Sequence, residues 1–564
     1  MTTNRSTAVS DAAMLALIGV AGALVSAVWL WGGLAGALFG SGWPHTSAGQ
    51  LLTVLARLPT RLGDPAGAWP RSDRFLLPGP PGFYAAFALL AALVGGLTTV
   101  AARRGLVAAL RGQSPGARWA SGGELRSLHG GARAGRLALG RCRGRLLYAE
   151  QRHALVAFGP PQSGKSAGLA VPALLKWDGP AVASSIKTDL LACTEARRRA
   201  LGRVYVFDPF ALSGVATQTW SPLRAAGTWD GALEAAWRLA AAGELDQRGV
   251  EGGDFWAIAA EQRLAPLLYT AARTDAGMGA VVRWAYGQGS RELDVAVSQL
   301  AGTARDEADL EGAHATYDAL RAFEAQADRT RSSIEATAQG LLRAYRFARV
   351  LRSAQSCDID PDRLLDERAT LYLIGDAKAS KLLRPIFLAL LSEIVDRAYE
   401  RATLAGGRLE LPLLLCLDEA GNVAPLPNLA EVASTAPSHN IQLVSIFHDL
   451  AQARSRYGKQ AETVVNSHRA RMLLPGVADL DTLRYFSGLA GEAEVRDTTS
   501  TTGAAGGSRT TGVKRRPLVA PESLRQLPAG HAFLLYGRIA PAQVQLRMWF
   551  ADRRLRALAK GGRA

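Results

Sequence analysis

The stretch FGPPQSGKSAGLA, residues 158–170, satisfies the pattern G-x-x-x-x-G-K-[ST] from Gly159 to Ser166. Glycines let consecutive backbone N–H groups curl around phosphate oxygens, a lysine reaches the β- and γ-phosphates, and a hydroxyl reaches Mg²⁺. Gly159, Pro160, Pro161, Gln162, Ser163, Gly164, Lys165, Ser166 and Ala167 are therefore the expected nucleotide-binding residues, with Lys165 also catalytic. Context supports the motif: an apolar strand candidate (153–158) precedes it and the helix-compatible SAGLAV follows.

A phosphate loop calls for a second element, an apolar strand ending in an acid beside the metal. LPLLLCLDEAGN, residues 411–422, supplies it. Asp418 is the expected metal-side acid, sharing Mg²⁺ with Ser166, and Glu419 the base that orients the attacking water. The expected cofactors are ATP and Mg²⁺. Asp418 follows Lys165 by 253 positions (418 minus 165), farther than one nucleotide-binding core needs.

The intervening pattern accounts for the distance. Apolar strand candidates at 181–186, 203–207, 369–375, 411–417, 441–446 and 471–475 read as parallel strands buried on both faces, the α/β signature. From 230 to 355 the strand signal disappears. There Ile334, Ala338, Leu341 and Tyr345 fall on one helical face, and Arg343, Arg346, Arg349 and Arg352 form a second stripe. That stripe reads either as a solvated face or as a nucleic-acid surface. The expected organisation is a first nucleotide-binding part over 105–229, an inserted all-α domain over 230–355, and a second nucleotide-binding part over 356–564. Within the last, DTTSTTGAAGGSRTTG (497–512) reads as a flexible loop, and a short helix with two strands closes the domain.

Residues 1–104 read as a membrane anchor. Ala12 to Gly40 runs 29 residues without a charge and Gly82 to Ala102 runs 21. About 20 apolar residues span a bilayer, so two transmembrane helices, 12–40 and 82–102, are expected, with 41–81 an extracytoplasmic loop. Arg57, Arg61, Arg71 and Arg74 in that loop blunt the positive-inside rule. Orientation rests instead on the need of the nucleotide site for cytoplasmic ATP. The expected location is the inner (plasma) membrane, crossed twice, with the bulk of the chain cytoplasmic.

With 48% hydrophobic residues the chain of 564 is not a disordered one, and its four scattered cysteines and eight histidines show no metal spacing. A net charge of +16 favours a polyanionic partner, nucleic acid or an anionic membrane face.

With GPPQSGKSAGLAVPALLKW stand SSIKTDLL, VYVFDPF, WSPL, LDEAGNVAPLPNL, ARSRYG and LVAPESLRQLPAGHAFLLYG. In this order, behind two apolar runs, they resemble the type IV secretion coupling proteins, the TraG/TraD-like conjugation ATPases, from about residue 115 onward. The resemblance implies a RecA-like P-loop NTPase fold with an inserted all-α domain. It also implies a homo-hexameric ring that delivers single-stranded plasmid DNA, or a relaxase–DNA nucleoprotein, to a secretion channel. By the same resemblance Lys187, Asp189 and Asp208 belong near the nucleotide site, and Arg456, Arg469 or Arg471 reaches a neighbouring subunit's phosphate. Where the family has a glutamine sensor, this chain has His448, expected to be catalytic as a γ-phosphate contact. A DNA pump for chromosome partitioning of the FtsK/HerA kind shares the motor, and a docking platform without hydrolysis is the rival of another class. Intact Lys165, Ser166, Asp418 and Glu419 speak for the ATPase.

Overall fold

The computed structural model describes residues 6–103, 116–131, 135–247, 253–503 and 506–562. Two compact units divide the chain, Met1–Pro115 and Gly116–Ala564.

The first unit is built on helices α1 (Ser6–Phe39), α2 (Ala48–Arg57) and α3 (Pro80–Arg103). Gly22–Phe39 within α1 and Pro80–Val100 within α3 are long and apolar enough to cross a membrane. Aromatic side chains tie the two together: Trp31 and Trp69 pack on Phe83 with ring centroids 5.4 and 5.1 Å apart. The Trp31 indole donates to the Phe83 carbonyl at 2.7 Å, which satisfies a polar group that an apolar setting would otherwise strand. The connection between them is folded, holding α2 and a Thr46–Asp73 hydrogen bond of 2.8 Å.

The second unit is built on strands β1 (Ala138–Cys142), β2 (Arg145–Tyr148), β3 (Leu155–Phe158), β4 (Ala181–Ser185), β5 (Val204–Phe207), β6 (Thr370–Ile374), β7 (Leu413–Leu417), β8 (Ile441–Phe447), β9 (Ala470–Leu473), β10 (Glu492–Gly503), β11 (Gly506–Pro517), β12 (His531–Tyr536) and β13 (Ile539–Gln545). Eleven of them form one sheet in the order β2-β1-β13-β12-β9-β3-β8-β7-β4-β6-β5. The run from β9 to β5 is parallel, and β12, β13, β1 and β2 extend it antiparallel. Strands β3, β4, β5, β6, β7 and β8 are buried at every position, which is why their sequences are mostly apolar runs rather than alternating ones.

Between β5 and β6 the described residues contain no strand. Helices from Trp229–Gln247 to Pro361–Asp366 fill the interval. The apolar face expected there is present, with Ile334, Ala338, Leu341 and Tyr345 all buried. The arginine stripe differs from its expected regular helix. The helix Asp328–Leu342 tightens to a 3₁₀ turn over Arg343–Arg346, Phe347 is extended (ψ 122°), and a new short helix runs Ala348–Arg352. Burial of Tyr345 and Val350 from either side of that break fixes it, and the four guanidiniums leave their common face. Arg346 instead lies over the Tyr286 ring and Arg349 over Phe210, at 5.1 and 5.7 Å.

The helical segment is pinned at its entrance. Trp220 donates to Glu393 at 2.8 Å, and Arg224 pairs with the other oxygen of the same carboxylate. Glu393 lies on the long helix Ala377–Leu404, whose Asp376 cap accepts from the Lys378 and Ala379 amides.

At 497–512 the backbone differs from the flexible loop expected there. β10 and β11 pair antiparallel from Glu492↔Pro517 to Gly503↔Gly506 as a two-stranded ribbon. A threonine-rich run has no apolar surface to bury, but β-branched residues favour extended backbone, and ladder hydrogen bonds do the rest.

Candidate nucleotide site

The phosphate loop, Asp418, Glu419 and His448 stand just beyond the C-terminal ends of the parallel strands β3, β7 and β8, where ligands collect in open α/β sheets. The phosphate loop leaves β3 at Gly159, whose N–H donates to the Phe447 carbonyl at the end of β8 at 3.0 Å. The turn then uses left-handed backbone at Gln162 (φ 66°) and Gly164 (φ 89°). A Cβ on Gly164 would stand 2.6 Å from Met548 Cε, and one on Gly159 2.5 Å from Ser163 Oγ, so space restricts both positions, and at Gly164 the left-handed φ demands glycine as well. The helix that follows opens with a wider π-type turn over Ser166–Ala170 before Val171–Lys176, a distortion that recurs at functional sites.

Strand β7 delivers Asp418 and Glu419, both buried. Glu419 adopts φ 71°, a left-handed conformation that costs a non-glycine residue on the order of 1 kcal/mol. Its carboxylate is held from three directions. Lys165 Nζ donates to Oε1 at 2.6 Å, while His448 Nε2 lies 2.9 Å and Asn422 Nδ2 3.0 Å from Oε2. Burial pushes the Glu419 carboxyl up, but the bonds from His448 and Lys165 outweigh it and hold it down at about 2.

His448, the first residue after β8, faces Lys165 through Nδ1 at 3.0 Å. An ammonium has no lone pair, so Nδ1 accepts and Nε2 carries the hydrogen that Glu419 takes. Gln452 Oε1 accepts the His448 amide at 2.7 Å and fixes the residue's backbone.

The Ser166 hydroxyl donates to Asp418 Oδ2 at 2.6 Å. Asp418 Oδ1 is buried without a hydrogen-bond partner. Burial pushes this carboxyl up to about 6, against the lowering effect of the Ser166 bond and of Lys165. A buried carboxylate oxygen with an open lone pair beside a serine hydroxyl is the donor set a hard divalent cation takes.

These groups open on a cavity of about 620 Å³, large enough for a nucleoside triphosphate. Pro161, Gln162, Ser163, Gly164, Lys165, Ser166 and Ala167 line it, together with Asp418, Glu419 and His448. Gly159 and Pro160 stand behind the lining. Lys187 and Asp189 line the β4 side. Asp208 does not reach the cavity: it ends β5 at the far edge of the sheet and accepts the Ser213 amide at 2.6 Å in a turn. Arg456, Arg469 and Arg471 lie outside the lining as well. Arg456 donates to the Gly421 carbonyl, Arg471 to those of Val465 and Asn466, and Arg469 lies 3.6 Å from Glu150.

A further wall has no counterpart among the expected residues. Pro475, Ala529, Gly530, Met548 and Phe550 line the cavity from the β9, β12 and β13 side. The Trp549 amide donates to the Ala167 carbonyl at 3.1 Å and fastens this wall to the phosphate loop. The signal for it was LRMWF (546–550), four apolar residues broken by Arg547 directly after the last strand.

Residues 119–561 match the family described as "Type IV secretory system Conjugative DNA transfer". Two proteins of Escherichia coli, each called "Conjugal transfer protein TraG", are 25% identical over 399 residues, or 66% of this chain. The aligned region covers only 61% and 62% of the length of those relatives. Among solved structures, the fold is similar to the bacterial conjugative coupling protein TrwBdeltaN70 in its unbound form. The TM-score there is 0.56 at 20% identity, covering 77% of this chain and 93% of that one. TrwB in complex with ADP and Mg²⁺ gives 0.55 at 19% identity, covering 77% and 94%. At such identities the likeness establishes the RecA-like fold.

Proposed function

The chain belongs to the type IV secretory system conjugative DNA transfer family, and on that premise we propose that it is a membrane-anchored P-loop ATPase. In this reading it couples ATP hydrolysis to delivery of DNA, or of relaxase-bound DNA, to a secretion channel. The observation that carries the reading is the convergence of Lys165, Ser166, Asp418, Glu419 and His448 at the ends of three adjacent parallel strands, β3, β8 and β7. The TrwB complex with ADP and Mg²⁺ supports nucleotide chemistry on this fold, and the names of the TraG relatives support conjugal transfer.

Backbone amides of the loop between Gln162 and Ala167 would cradle the phosphates, and Lys165 would swing from Glu419 to the γ-phosphate. Ser166 and Asp418 would hold Mg²⁺, which supplies charge to neutralise the phosphate oxygens. Loss of the Lys165 bond leaves Glu419 free to accept a proton from the attacking water. His448 would then report the terminal phosphate once its Nδ1, released by the same departure, takes up a proton to donate. The same ammonium that pairs with Glu419 is thus the one that would pair with the γ-phosphate.

Two apolar helices, α1 and α3, support anchoring in the plasma membrane, with the nucleotide unit on the cytoplasmic side. Six copies around a channel would let Arg456, Arg469 or Arg471 act on a neighbour's nucleotide.

The test is ATP turnover by the purified full chain in detergent, with and without single-stranded DNA, beside Lys165→Ala. Turnover that rises with DNA and disappears in the variant is expected. Turnover equal in parent and variant overturns the reading.

A further inference from the structure

Phe550 is 55% exposed, and it lines the same cavity as Lys165 and Ser166. We infer that Phe550 is the platform on which the purine base stacks, and that the base is held by its face alone, so that ATP and GTP are accepted alike. This rests on the nucleotide reading of the cavity and adds where the base goes and what it is read by.

The order of the sheet sets the direction. β3, which carries the phosphate loop, stands between β8 and β9. Glu419 and His448, the groups for the terminal phosphate, lie on the β7 and β8 side. A triphosphate laid across the loop with its γ end there points its nucleoside toward β9, β12 and β13. β12 runs antiparallel to β9 and begins where β9 ends, and β13 ends beside the start of β12. Both therefore present Gly530 and the segment Met548–Phe550 at the loop's own level.

The chemistry of that wall is uniform. Pro475, Ala529, Gly530, Met548 and Phe550 offer no side-chain hydrogen-bond donor or acceptor. The base edges, where adenine and guanine differ, meet nothing there that tells them apart, whereas every base has a π-face. Position is fixed as well as character. The Trp549 amide bonds Ala167, and the Trp549 ring meets Phe550 edge-on with centroids 6.2 Å apart and planes at 83°. The exposed ring is thus held in place before any base arrives.

Calorimetric titration of the full chain with Mg²⁺ and ATP, GTP or inorganic tripolyphosphate tests this, comparing the parent with Phe550→Ala, Phe550→Trp and Lys165→Ala. Phe550→Ala is expected to raise the Kd for ATP and GTP equally, on the order of tenfold, the effect of removing one aromatic–base stack. Tripolyphosphate, which has no base, should bind as in the parent, and Phe550→Trp should restore both nucleotides. Unchanged nucleotide affinity in Phe550→Ala overturns the inference, as does equal weakening of tripolyphosphate, which reports collapse of the loop. A preference of the parent for ATP over GTP beyond tenfold overturns the face-only part. If the parent binds none of the three, or Lys165→Ala changes nothing, the nucleotide reading itself falls.

Discussion

Lys165 Nζ lies 2.6 Å from Glu419 Oε1, and neither side chain is more than a tenth exposed. The cation expected to meet phosphate and the base expected to meet water therefore pair directly with each other. Binding and chemistry should separate on substitution. Glu419→Gln keeps the shape and the hydrogen-bond acceptor but removes the base. Nucleotide affinity is expected within about threefold of the parent, with single-turnover hydrolysis down roughly 100-fold or more. A variant that hydrolyses at the parental rate would remove Glu419 from the chemistry.

Gly164 is the point where the phosphate loop tolerates least. Alanine there meets both a φ of 89° and Met548 Cε at 2.6 Å. Gly164→Ala should lower stability by about 1–2 kcal/mol and abolish nucleotide binding. Trimming the obstacle in Gly164→Ala/Met548→Ala should recover part of the stability, since the backbone strain remains. Full recovery in thermal unfolding would show that contact alone made the glycine necessary.

His468 is fully buried between the Val464 carbonyl at 2.7 Å and Ser445 Oγ at 3.0 Å. Burial lowers its pKa from 6.5 to about 4. A depressed value means that the unfolded chain binds the proton first. Stability contributed by the neutral ring is whole above pH 6.5 and is lost as pH falls toward 4, by at most about 3 kcal/mol. Denaturant unfolding across that window should steepen in the parent and flatten in His468→Gln. An identical pH slope in both assigns the loss elsewhere.

Glu393, on the helix Ala377–Leu404, holds the entrance of the helical segment through Trp220 and Arg224. Glu393→Ala leaves a buried indole N–H and a half-buried guanidinium without their acceptor, a change worth roughly 2–4 kcal/mol. Trp220→Phe removes only the N–H and should cost about 1 kcal/mol. Both are read from the unfolding midpoint, and equal losses would mean that the arginine contributes nothing.

What could be read from sequence was what is written locally. The phosphate loop and the acid pair after β7 are each a dozen residues in which glycine, lysine and carboxylate chemistry leave few alternatives. The seven parallel strands were legible because burial on both faces leaves runs that are mostly apolar. The contact of His448 with Lys165 joins residues 283 positions apart, and no local pattern encodes it. Phe550 and Met548 escaped for the same reason: an apolar run after a strand looks the same whether it packs in a core or waits for a ligand. The β10–β11 ribbon escaped because its ladder is made by backbone, to which side-chain polarity is a poor guide.

The wall carried by Met548 and Phe550 has a consequence for synthesis. Gly164 leaves the ribosome 384 residues before Met548 (548 minus 164), an interval of roughly 20–80 s at bacterial elongation rates. Throughout it the nascent chain carries a phosphate loop whose floor has not been made. The apolar helices of the first unit emerge earlier still. On the proposed function, insertion of those helices would precede completion of the nucleotide site, and a chain stalled short of its last strands would lack the wall that Phe550 carries.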